Sequence, residues 1–531
     1  MTLAATQAMS SISCPVLLQE LLEETALKWP DREAIIHGAE RKTYRHLDEE
    51  ANRTSHALRR VGVNPGDRVG LLMPNSSGYV TAYFGILKAG AVAVPLQETS
   101  QPETLAHILR DAGIRVLIAS SRFRRTALTD LVVRTDLQFV FWHGEKISET
   151  TQITARKKWQ IIPIEEALAK EPPKPPSAKG DPRNLACLFY TSGSAGKPKG
   201  VMLSHFNLLE NTKSIVQYLD ISPADKAMVV LPFSYCYGAS ILHTHFLAGG
   251  SLVLSSQFLY PNLILDLMEA EEVTGFSGVP YTFAILLRRS NLRNYKLKSL
   301  RYVTQAGGTL APALIQEFRS ILPHAKFYVM YGQTEASARL SYLPPECLDS
   351  KLGSIGKGIP GVELKVLDER GIPTTPGQVG EIVARGPNVM LGYWNSPAET
   401  SRVLNKRGLY TGDLARVDED GFIYIVGRKK DFIKAGSHRV SAREVEEVIL
   451  EEPSVLECAV VGVEDEMMGE AVKAFIVPAD WGQRDAEKIL NWCRQRLASY
   501  KVPKSVEFRR TLPKNAAGKV VKPLLKAVKH D

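Results

Sequence analysis

The chain has 531 residues, of which 44% are hydrophobic and 23% charged, a balance typical of a globular protein with a buried core. No apolar run approaches the ~20 residues that cross a bilayer, and no basic residue precedes Lys28, so we predict neither a membrane span nor a secretory leader. The six cysteines are scattered and form no C-x-x-C pair, which argues against a metal cage or a disulfide framework and favours the reducing cytoplasm.

The first 330 residues alternate short apolar runs with amphipathic stretches. This alternation predicts βαβ units, with parallel sheets covered by helices. The apolar runs predicted as strands are Val69–Met73, Ala91–Leu96, Val116–Ala119, Ala227–Phe233, Leu252–Leu254 and Phe327–Tyr331. Helical spacing occurs at His205–Leu219 and Pro312–Leu322. The Pro-rich segment Lys170–Pro182 predicts an exposed linker between two layered sub-domains.

Beyond residue 350 the pattern changes to short strands separated by Gly and Pro turns, which predicts a small β-rich unit. Its strands are Glu363–Leu367, Gly380–Ala384 and Gly421–Val426. A compact α+β module is predicted after Gly427, where Ser441–Glu444 has the capping-box sequence that opens a helix. The module's other predicted elements are strands at Cys458–Val463 and Val472–Val477 and a helix at Asp485–Ala498.

The net charge of +9 is concentrated at the C-terminal end of the chain. From Arg494 to Asp531 there are eleven Lys or Arg and two acids, so this segment alone carries +9. Such a surface suits a polyphosphate ligand, an acidic partner protein or nucleic acid, and a solvated basic face is the alternative. With one Tyr and one Phe, the segment lacks the aromatic platform of single-strand binders, and we predict no nucleic-acid partner.

The segment Leu188–Gly200 places an apolar strand directly before a loop of Thr, Ser, Gly and Lys. Hydroxyl, backbone N–H and ammonium groups are the donors that a polyphosphate requires, and glycine lets the backbone close around it. The predicted contacts are Thr191, Ser192, Gly193, Ser194, Gly196, Lys197 and Lys199. The loop is not a Walker A motif, because no Gly stands five positions before Gly196 and Pro198 follows Lys197. A flexible surface loop is the alternative reading.

Four further segments carry polar side chains that suit nucleotide chemistry. They are Tyr331–Glu335 (YGQTE), Tyr410–Asp413 (YTGD), Gly427–Lys434 (GRKKDFIK) and Pro513–Lys519 (PKNAAGK). Taken singly, each has an ordinary structural explanation, such as a strand-to-loop turn, a β-turn Asp or a solvated basic strand end. Together with the loop before Gly200, they resemble the ordered motifs of the adenylate-forming superfamily, from about Leu17 to Lys522.

That superfamily includes acyl-CoA synthetases, luciferases and the adenylation domains of peptide synthetases, and the chain most resembles acyl-CoA synthetases or acyl-acid ligases. The resemblance implies that Tyr331 stacks on adenine, that Thr334 holds a phosphate and that Glu335 binds Mg²⁺. It also implies that Asp413 accepts from both ribose hydroxyls and that Arg428 reaches the ribose or the phosphates. Ala195 departs from the family, which usually has Thr there, so one hydroxyl contact to phosphate is missing.

The resemblance also implies the fold and its division. We expect an α/β fold with an N-terminal adenylation core at residues 1–427, with sub-domains at roughly 1–180, 181–345 and 346–427, the last of them barrel-like. A hinge at 428–430, with Lys430 as pivot, precedes a mobile α+β domain at 431–531. Lys519 is implied as the catalytic lysine of adenylation, and Lys434 as the lysine that faces the site during thiol transfer.

The acyl pocket is expected around three short segments that follow predicted strands. Its candidate residues are Tyr235, Cys236, Tyr237, Ser277, Gly278, Gly307 and Gly308. Neither Asp nor Glu occurs between Lys226 and Asp266, where family members that take α-amino acids place an Asp. Because a buried ammonium without a partner is costly, we expect a fatty or aromatic acid without an α-amine. The alternative explanation of these aromatic residues is a strand that packs in the core and lines no pocket.

The predicted reaction joins a carboxylic acid to AMP from ATP, with Mg²⁺ and release of pyrophosphate, and then transfers the acyl group to coenzyme A. The alternative acceptor is the phosphopantetheine of an acyl-carrier protein. A non-catalytic binder is disfavoured because Thr191, Glu335, Asp413, Arg428 and Lys519 are all present. A luciferase-like oxidase has no support in these residues. The sequence sets neither the acyl length nor the oligomeric state.

Overall fold

The computed structural model describes residues 15–120, 125–144, 159–176, 180–191, 198–255, 258, 260–429, 431–435, 438–465, 469–514 and 520–526. The strands are β1 Glu33–His37, β2 Glu40–Thr43, β3 Arg68–Leu72, β4 Val92–Pro95, β5 Val116–Ser120, β6 Phe139–His143, β7 Gln160–Pro163, β8 Leu185–Thr191, β9 Lys199–Ser204, β10 Lys226–Val229, β11 Ser251–Leu254, β12 Gly275–Gly278, β13 Tyr302–Gln305, β14 Lys326–Tyr331, β15 Ser341–Leu343, β16 Lys357–Gly358, β17 Glu363–Leu367, β18 Gly380–Arg385, β19 Gly392–Tyr393, β20 Leu404–Asn405, β21 Gly408–Val417, β22 Ile423–Arg428, β23 Phe432–Ala435, β24 His438–Ser441, β25 Val455–Asp465, β26 Gly469–Pro478 and β27 Ser505–Phe508.

The helices are α1 Glu20–Lys28, α2 Tyr44–Arg60, α3 Ser77–Lys88, α4 Pro102–Asp111, α5 Arg125–Arg134, α6 Ile164–Ala169, α7 His205–Leu219, α8 Cys236–Ala248, α9 Pro261–Ala270, α10 Pro280–Arg289, α11 Pro312–Ile321, α12 Pro397–Val403, α13 Ala442–Leu450, α14 Ala486–Arg494 and α15 Lys522–Lys526. The mixed α/β architecture that the sequence predicts is therefore confirmed, and so are its named strands and helices, with bounds that shift by a few residues. Among the described residues, no helix combines the length and the apolar character that crossing a bilayer requires.

The first large sheet has eight strands in the order β19-β9-β8-β4-β3-β5-β6-β7. Strands β3 to β8 pair in parallel, whereas β9 runs antiparallel to β8 and β19 antiparallel to β9. The register pairs Tyr393 with Val201 and Gly392 with Met202. Residues 392–394 therefore lie beside the strand that follows the predicted phosphate loop.

The second large sheet has nine strands in the order β16-β15-β14-β13-β12-β10-β11-β1-β2. Its central strands are parallel, and β2, β15 and β16 add antiparallel edges. Because the carboxyl ends of β12, β13 and β14 meet at one edge, three predicted site segments converge there. These segments are Ser277–Gly278, Gly307–Gly308 and Tyr331–Glu335.

The sequence predicts a sub-domain boundary near residue 180, but each large sheet contains strands from both sides of that residue. Strands β8 and β9 belong with β3 to β7, while β1 and β2 join the second sheet. The Pro-rich segment before residue 182 is attached to α2: Glu171 is buried, forms an ion pair with Arg60 at 2.5 Å, and accepts from Arg53 through its carbonyl. Asn52 also donates to the Pro173 carbonyl at 2.8 Å. These contacts order part of a stretch expected to be an exposed linker.

Two smaller sheets follow. Strands β17-β18-β21-β20 form one, with β22 also paired to β21, and no pairing between the outer strands closes it into a barrel in the described residues. The C-terminal sheet has the order β24-β23-β26-β25, with β27 on β26, and α13 and α14 pack on it. The chain passes from one sheet to the other between Arg428 and Phe432. An apolar cluster of Ala284 on α10 with Leu456 and Phe475 joins the C-terminal sheet to the rest of the protein.

Candidate active site

Tyr331, Asp413 and Arg428 form one hydrogen-bonded group, although they come from three different segments. The Tyr331 hydroxyl donates to Asp413 Oδ2 at 2.7 Å, and Arg428 Nε donates to Oδ1 at 2.9 Å. Asp413 is 4% exposed. Burial and then the Asp413 charge raise the pKa of Tyr331 well above its usual value, so the phenol stays a donor. The group brings together the residues expected at adenine and ribose, with Asp413 held in a fixed orientation.

Glu335 follows β14 in a short 3-10 turn, Thr334–Ala336, and two contacts fix it. The Tyr393 hydroxyl donates to Glu335 Oε1 at 2.8 Å, and the Met390 amide donates to the Glu335 carbonyl at 2.9 Å. Burial and the Glu335 charge raise the pKa of Tyr393, which therefore remains protonated. Tyr393 was not among the predicted site residues, and its hydroxyl orients the carboxylate expected to bind Mg²⁺.

The described ends of the predicted phosphate loop lie next to this carboxylate. Thr191 and Lys199 pair across β8 and β9, and the Trp394 amide donates to the Gly200 carbonyl at 2.7 Å. Lys199 Nζ lies 5.3 Å from the centroid of the Tyr393 ring and forms an ion pair with Glu399. The structure thus gives Lys199 a carboxylate partner, which the sequence did not predict. The other loop candidates, Ser192, Gly193, Ser194, Gly196 and Lys197, lie outside the described residues.

The predicted acyl-pocket residues are connected through Thr304 on β13. The Tyr237 hydroxyl donates to the Thr304 carbonyl at 3.0 Å, and Ser277 Oγ lies 2.7 Å from Thr304 Oγ1. Gly278 pairs with Gln305 across β12 and β13, and Gln305 Nε2 donates to the Gly308 carbonyl at 2.7 Å. Gly307 follows with a positive φ of 86°, which favours glycine. Segments 277–278 and 307–308 therefore lie side by side, as predicted.

Cys236 connects the acyl side to the nucleotide side. Its sulfur lies 3.4 Å from Thr334 Oγ1. Burial raises the pKa of the Cys236 thiol, so the thiol stays protonated and is a poor nucleophile. Tyr235, half-buried, immediately precedes α8, and the turn before it is held by Asn75, whose Oδ1 accepts from the Phe233 amide at 2.8 Å.

Two glycines at the site are required by close backbone approach. A Cβ on Gly332 would lie 1.9 Å from the Ala338 carbonyl oxygen. A Cβ on Gly238 would lie 2.0 Å from the Pro232 carbonyl oxygen. Any other residue at either position would displace backbone next to Thr334 or Cys236, so these glycines fix the turns that present the polar side chains.

The C-terminal sheet contacts the acyl side through Lys514. Lys514 Nζ lies 3.2 Å from the centroid of the Tyr281 ring and forms an ion pair with Glu457 at 2.8 Å. Tyr281 comes four residues after Ser277, so the C-terminal unit borders the pocket. Lys434, on β23, is exposed, and its amide donates to Glu470 at 2.7 Å. Lys430 and Lys519 lie outside the described residues, and Lys514 and Val520, on either side of residues 515–519, pair with each other.

The oxygen donors at Thr334 and Glu335 fit a hard divalent cation such as Mg²⁺. Within the described chain, His, Cys, Asp and Glu form no group of three or more that could hold a metal ion alone. Proteins usually hold Mg²⁺ with one or two carboxylates together with substrate phosphates and water.

Several residues that contact or support the candidate site are missing from the sequence prediction. Asn75, Asn388, Tyr393 and Glu399 all contact or support predicted residues from distant parts of the chain, and Asn388 donates to the Ala336 carbonyl at 3.2 Å. The Gly392–Tyr393 pair in a Gly- and Asn-rich stretch was the available signal for Tyr393. For the others, nothing local distinguishes the residue from an ordinary surface polar group.

Comparison with known proteins gives consistent results over most of the chain. A family model described as AMP-binding enzyme matches residues 22–394, and one described as AMP-binding enzyme C-terminal domain matches residues 444–519. A feruloyl-CoA synthase from Amycolatopsis sp is 36% identical over 497 residues, covering 93% of this chain and 95% of the relative. A long-chain-fatty-acid–CoA ligase from Bacillus subtilis (strain 168) is 32% identical over 524 residues, covering 95% and 93%.

A similar solved structure is that of an anthranilate CoA ligase in complex with anthranoyl-AMP. Its TM-score is 0.87 at 27% identity, and the match covers 98% of each chain.

Proposed function

The chain belongs to the AMP-binding enzyme family, and on that premise we propose that it is an AMP-forming acyl-CoA synthetase. It activates a fatty or aromatic acid without an α-amine to an acyl-adenylate, releases pyrophosphate, and transfers the acyl group to coenzyme A. The observation that carries this proposal is the convergence of Glu335 and the acyl-pocket segments at one sheet edge. Asp413 on β21 joins them through Tyr331, and the described ends of the 191–200 loop lie alongside.

In adenylation, a carboxylate oxygen attacks the α-phosphorus of ATP, and pyrophosphate leaves. The site must bring two anions together, which is unfavourable in a low-dielectric environment unless cationic groups and hydrogen-bond donors face them. We assign the ribose to Asp413, adenine to Tyr331, phosphate to Thr191 and Thr334, and the α-phosphate and the acid carboxylate to Lys519. When bound at Glu335, Mg²⁺ would neutralise phosphate charge.

In thiol transfer, the sulfur of coenzyme A attacks the acyl carbon and AMP leaves. Burial raises the pKa of the Cys236 thiol, and its sulfur contacts the Thr334 hydroxyl, which argues against an acyl-enzyme intermediate on this residue. The excess of Lys and Arg after Arg494 suits the phosphates of coenzyme A. The relatives are CoA ligases, which favours CoA over a carrier protein as acceptor.

We further propose that residues 428–430 form a hinge between a core at 1–427 and a C-terminal domain at 431–531. The change of sheet between Arg428 and Phe432 supports this division. The proximity of Lys514 to Tyr281 supports an arrangement in which residue 519 serves adenylation, with the exposed Lys434 serving thiol transfer after rotation. The cytoplasm, with its reducing conditions and its CoA, is the proposed compartment.

The test is a two-part assay on the purified protein with ATP and Mg²⁺. A panel of fatty and aromatic acids is screened for acid-dependent pyrophosphate release, and then for thioester formation with CoA or with a phosphopantetheinylated carrier protein. We expect AMP, pyrophosphate and acyl-CoA from at least one acid. Glu335→Gln should lower the activity strongly but leave a measurable rate, whereas Glu346→Gln, which changes an exposed glutamate 11 residues later, should keep full activity. If no acid yields pyrophosphate, the proposal is wrong.

A further inference from the structure

Arg339 is a buried cation that follows the site segment Tyr331–Glu335 in the chain. It is 3% exposed. Its backbone is held on both sides: Asn211 Nδ2 and Asn388 Nδ2 donate to its carbonyl at 2.9 and 2.8 Å, and its amide donates to Asn211 Oδ1 at 3.3 Å. The position of this guanidinium is therefore built into the fold.

The guanidinium has little charge compensation in the described part of the chain. It lies 4.0 Å from the centroid of the Tyr237 ring, Nε points to the sulfur of Met330 at 3.2 Å, and the guanidinium also donates to the neutral Tyr218 hydroxyl. No described carboxylate forms an ion pair with it, whereas Arg301, also in this domain, pairs with Asp225 at 3.0 Å. A cation–π contact offsets part of the cost of burying a charge, and an anionic or strongly accepting oxygen would offset much more.

Tyr237 joins this cation to the acyl pocket. Its hydroxyl contacts Thr304, which in turn contacts Ser277, one of the predicted pocket residues. Cys236, one residue earlier in α8, contacts Thr334, to which we assign a phosphate contact. Arg339 therefore lies next to the predicted acyl pocket, in contact with the Tyr237 ring.

We propose that Arg339 binds an oxygen-bearing group at the end of the acid remote from the reacting carboxylate. The substrate class is thus a fatty or aromatic acid with a second carboxylate, or with a hydroxyl or carbonyl oxygen, and a carboxylate gives the strongest pairing. This inference rests on the proposed function and deepens it. A purely structural role, in which the guanidinium only supports the Tyr237 ring, is the competing explanation.

The experiment measures kcat/KM for acid-dependent pyrophosphate release with pairs of acids that differ at the remote end alone. Straight-chain monoacids are compared with diacids of equal length, and 4-methylcinnamate with 4-hydroxy- and 4-carboxycinnamate. Wild-type protein is compared with Arg339→Leu, Arg339→Gln and the control Arg288→Leu, which removes a distant guanidinium paired with Glu317. Thermal unfolding is followed for each variant.

We expect wild-type protein to prefer the oxygen-bearing member of at least one pair by about 10- to 100-fold, the range for a hydrogen bond to a charged group. Arg339→Leu should abolish or reverse that ratio, Arg339→Gln should retain part of it for the hydroxyl acid, and Arg288→Leu should leave it unchanged. A structural role would lower kcat/KM for both members equally, and equal ratios in wild type and Arg339→Leu overturn the inference.

If neither variant folds, the wild-type ratio decides: a ratio near one in every pair overturns the inference. If no acid of either kind supports pyrophosphate release, the proposed function itself has failed. The two failures therefore give different results.

Discussion

Replacing Tyr393 with Phe removes one hydroxyl group from the site and leaves the ring in place. That hydroxyl donates to Glu335 Oε1 at 2.8 Å, and the tyrosine is 9% exposed. The Lys199 ammonium, 5.3 Å from the ring centroid, keeps its contact in the variant. The substitution therefore isolates the hydrogen bond that orients the carboxylate proposed to hold Mg²⁺.

The magnitude follows from the nature of the bond. A hydrogen bond to a charged group contributes about 1.5–3 kcal/mol, which corresponds to about 10- to 150-fold in a rate or binding constant. We expect Tyr393→Phe to lower kcat/KM for ATP within this range and to raise the Mg²⁺ concentration needed for half-maximal activity. The melting temperature should fall little, because the ring still fills its space.

The assay is a double-mutant cycle on pyrophosphate release with Tyr393→Phe, Glu335→Gln and the double variant. In the Glu335→Gln background the Tyr393 hydroxyl faces a neutral amide, so its removal should lower kcat/KM for ATP by less than about 3-fold. Tyr295→Phe is the matched control, because Tyr295 donates to Asp266 at 2.6 Å outside the site. If Tyr393→Phe lowers kcat/KM by the same factor in wild type and in Glu335→Gln, the hydroxyl does not act through Glu335 and the reasoning fails.

Three further predictions concern separate parts of the protein. Lys519→Ala should slow adenylation by about 10²–10³ while thioester formation from supplied acyl-adenylate survives, and equal loss of both steps in single-turnover assays would contradict this assignment. Asp413→Asn should raise the KM for ATP by about 10- to 100-fold with little change in the KM for the acid; comparable changes in both would exclude a role specific to the nucleotide. Burial lowers the pKa of His205 to about 4, so the unfolded chain binds the extra proton between about pH 6.5 and 4. Stability contributed by neutral His205 is present above pH 6.5 and should fall by up to about 3 kcal/mol towards pH 4. The free energy of unfolding, measured by chemical denaturation across this pH range, should decline less steeply for His205→Gln than for wild type. The same decline in both proteins would contradict this role of His205.

Much of the secondary structure could be predicted from the sequence because it depends on local patterns. The helix His205–Leu219 has the predicted bounds, and the structure gives it an N-terminal cap in which Ser204 Oγ accepts from the Asn207 amide at 3.1 Å. The predicted helix start at Ser441 is also present, where Ser441 Oγ accepts from the Glu444 amide at 3.4 Å. Apolar runs bounded by turn residues predicted the strands for the same reason.

The site motifs could also be recognised in the sequence, because each is a short segment of polar side chains and glycine. The resemblance implied that Tyr331 stacks on adenine and that Asp413 binds the ribose, and the structure shows the two residues hydrogen-bonded to each other. The roles of Ser192, Lys430 and Lys519, among others, stay predictions, since these residues lie outside the described part of the chain.

By itself, then, the sequence determined the α/β class, the strands and helices, and the motif residues, because periodicity and turn chemistry act over a few residues. Tertiary structure alone decided which strands share a sheet, that Tyr393 reaches Glu335, and that Lys199 pairs with Glu399. It also put the Arg339 charge against the Tyr237 ring. These contacts join segments 58 to 200 residues apart and depend on sheet order and register, which no local pattern in one sequence encodes.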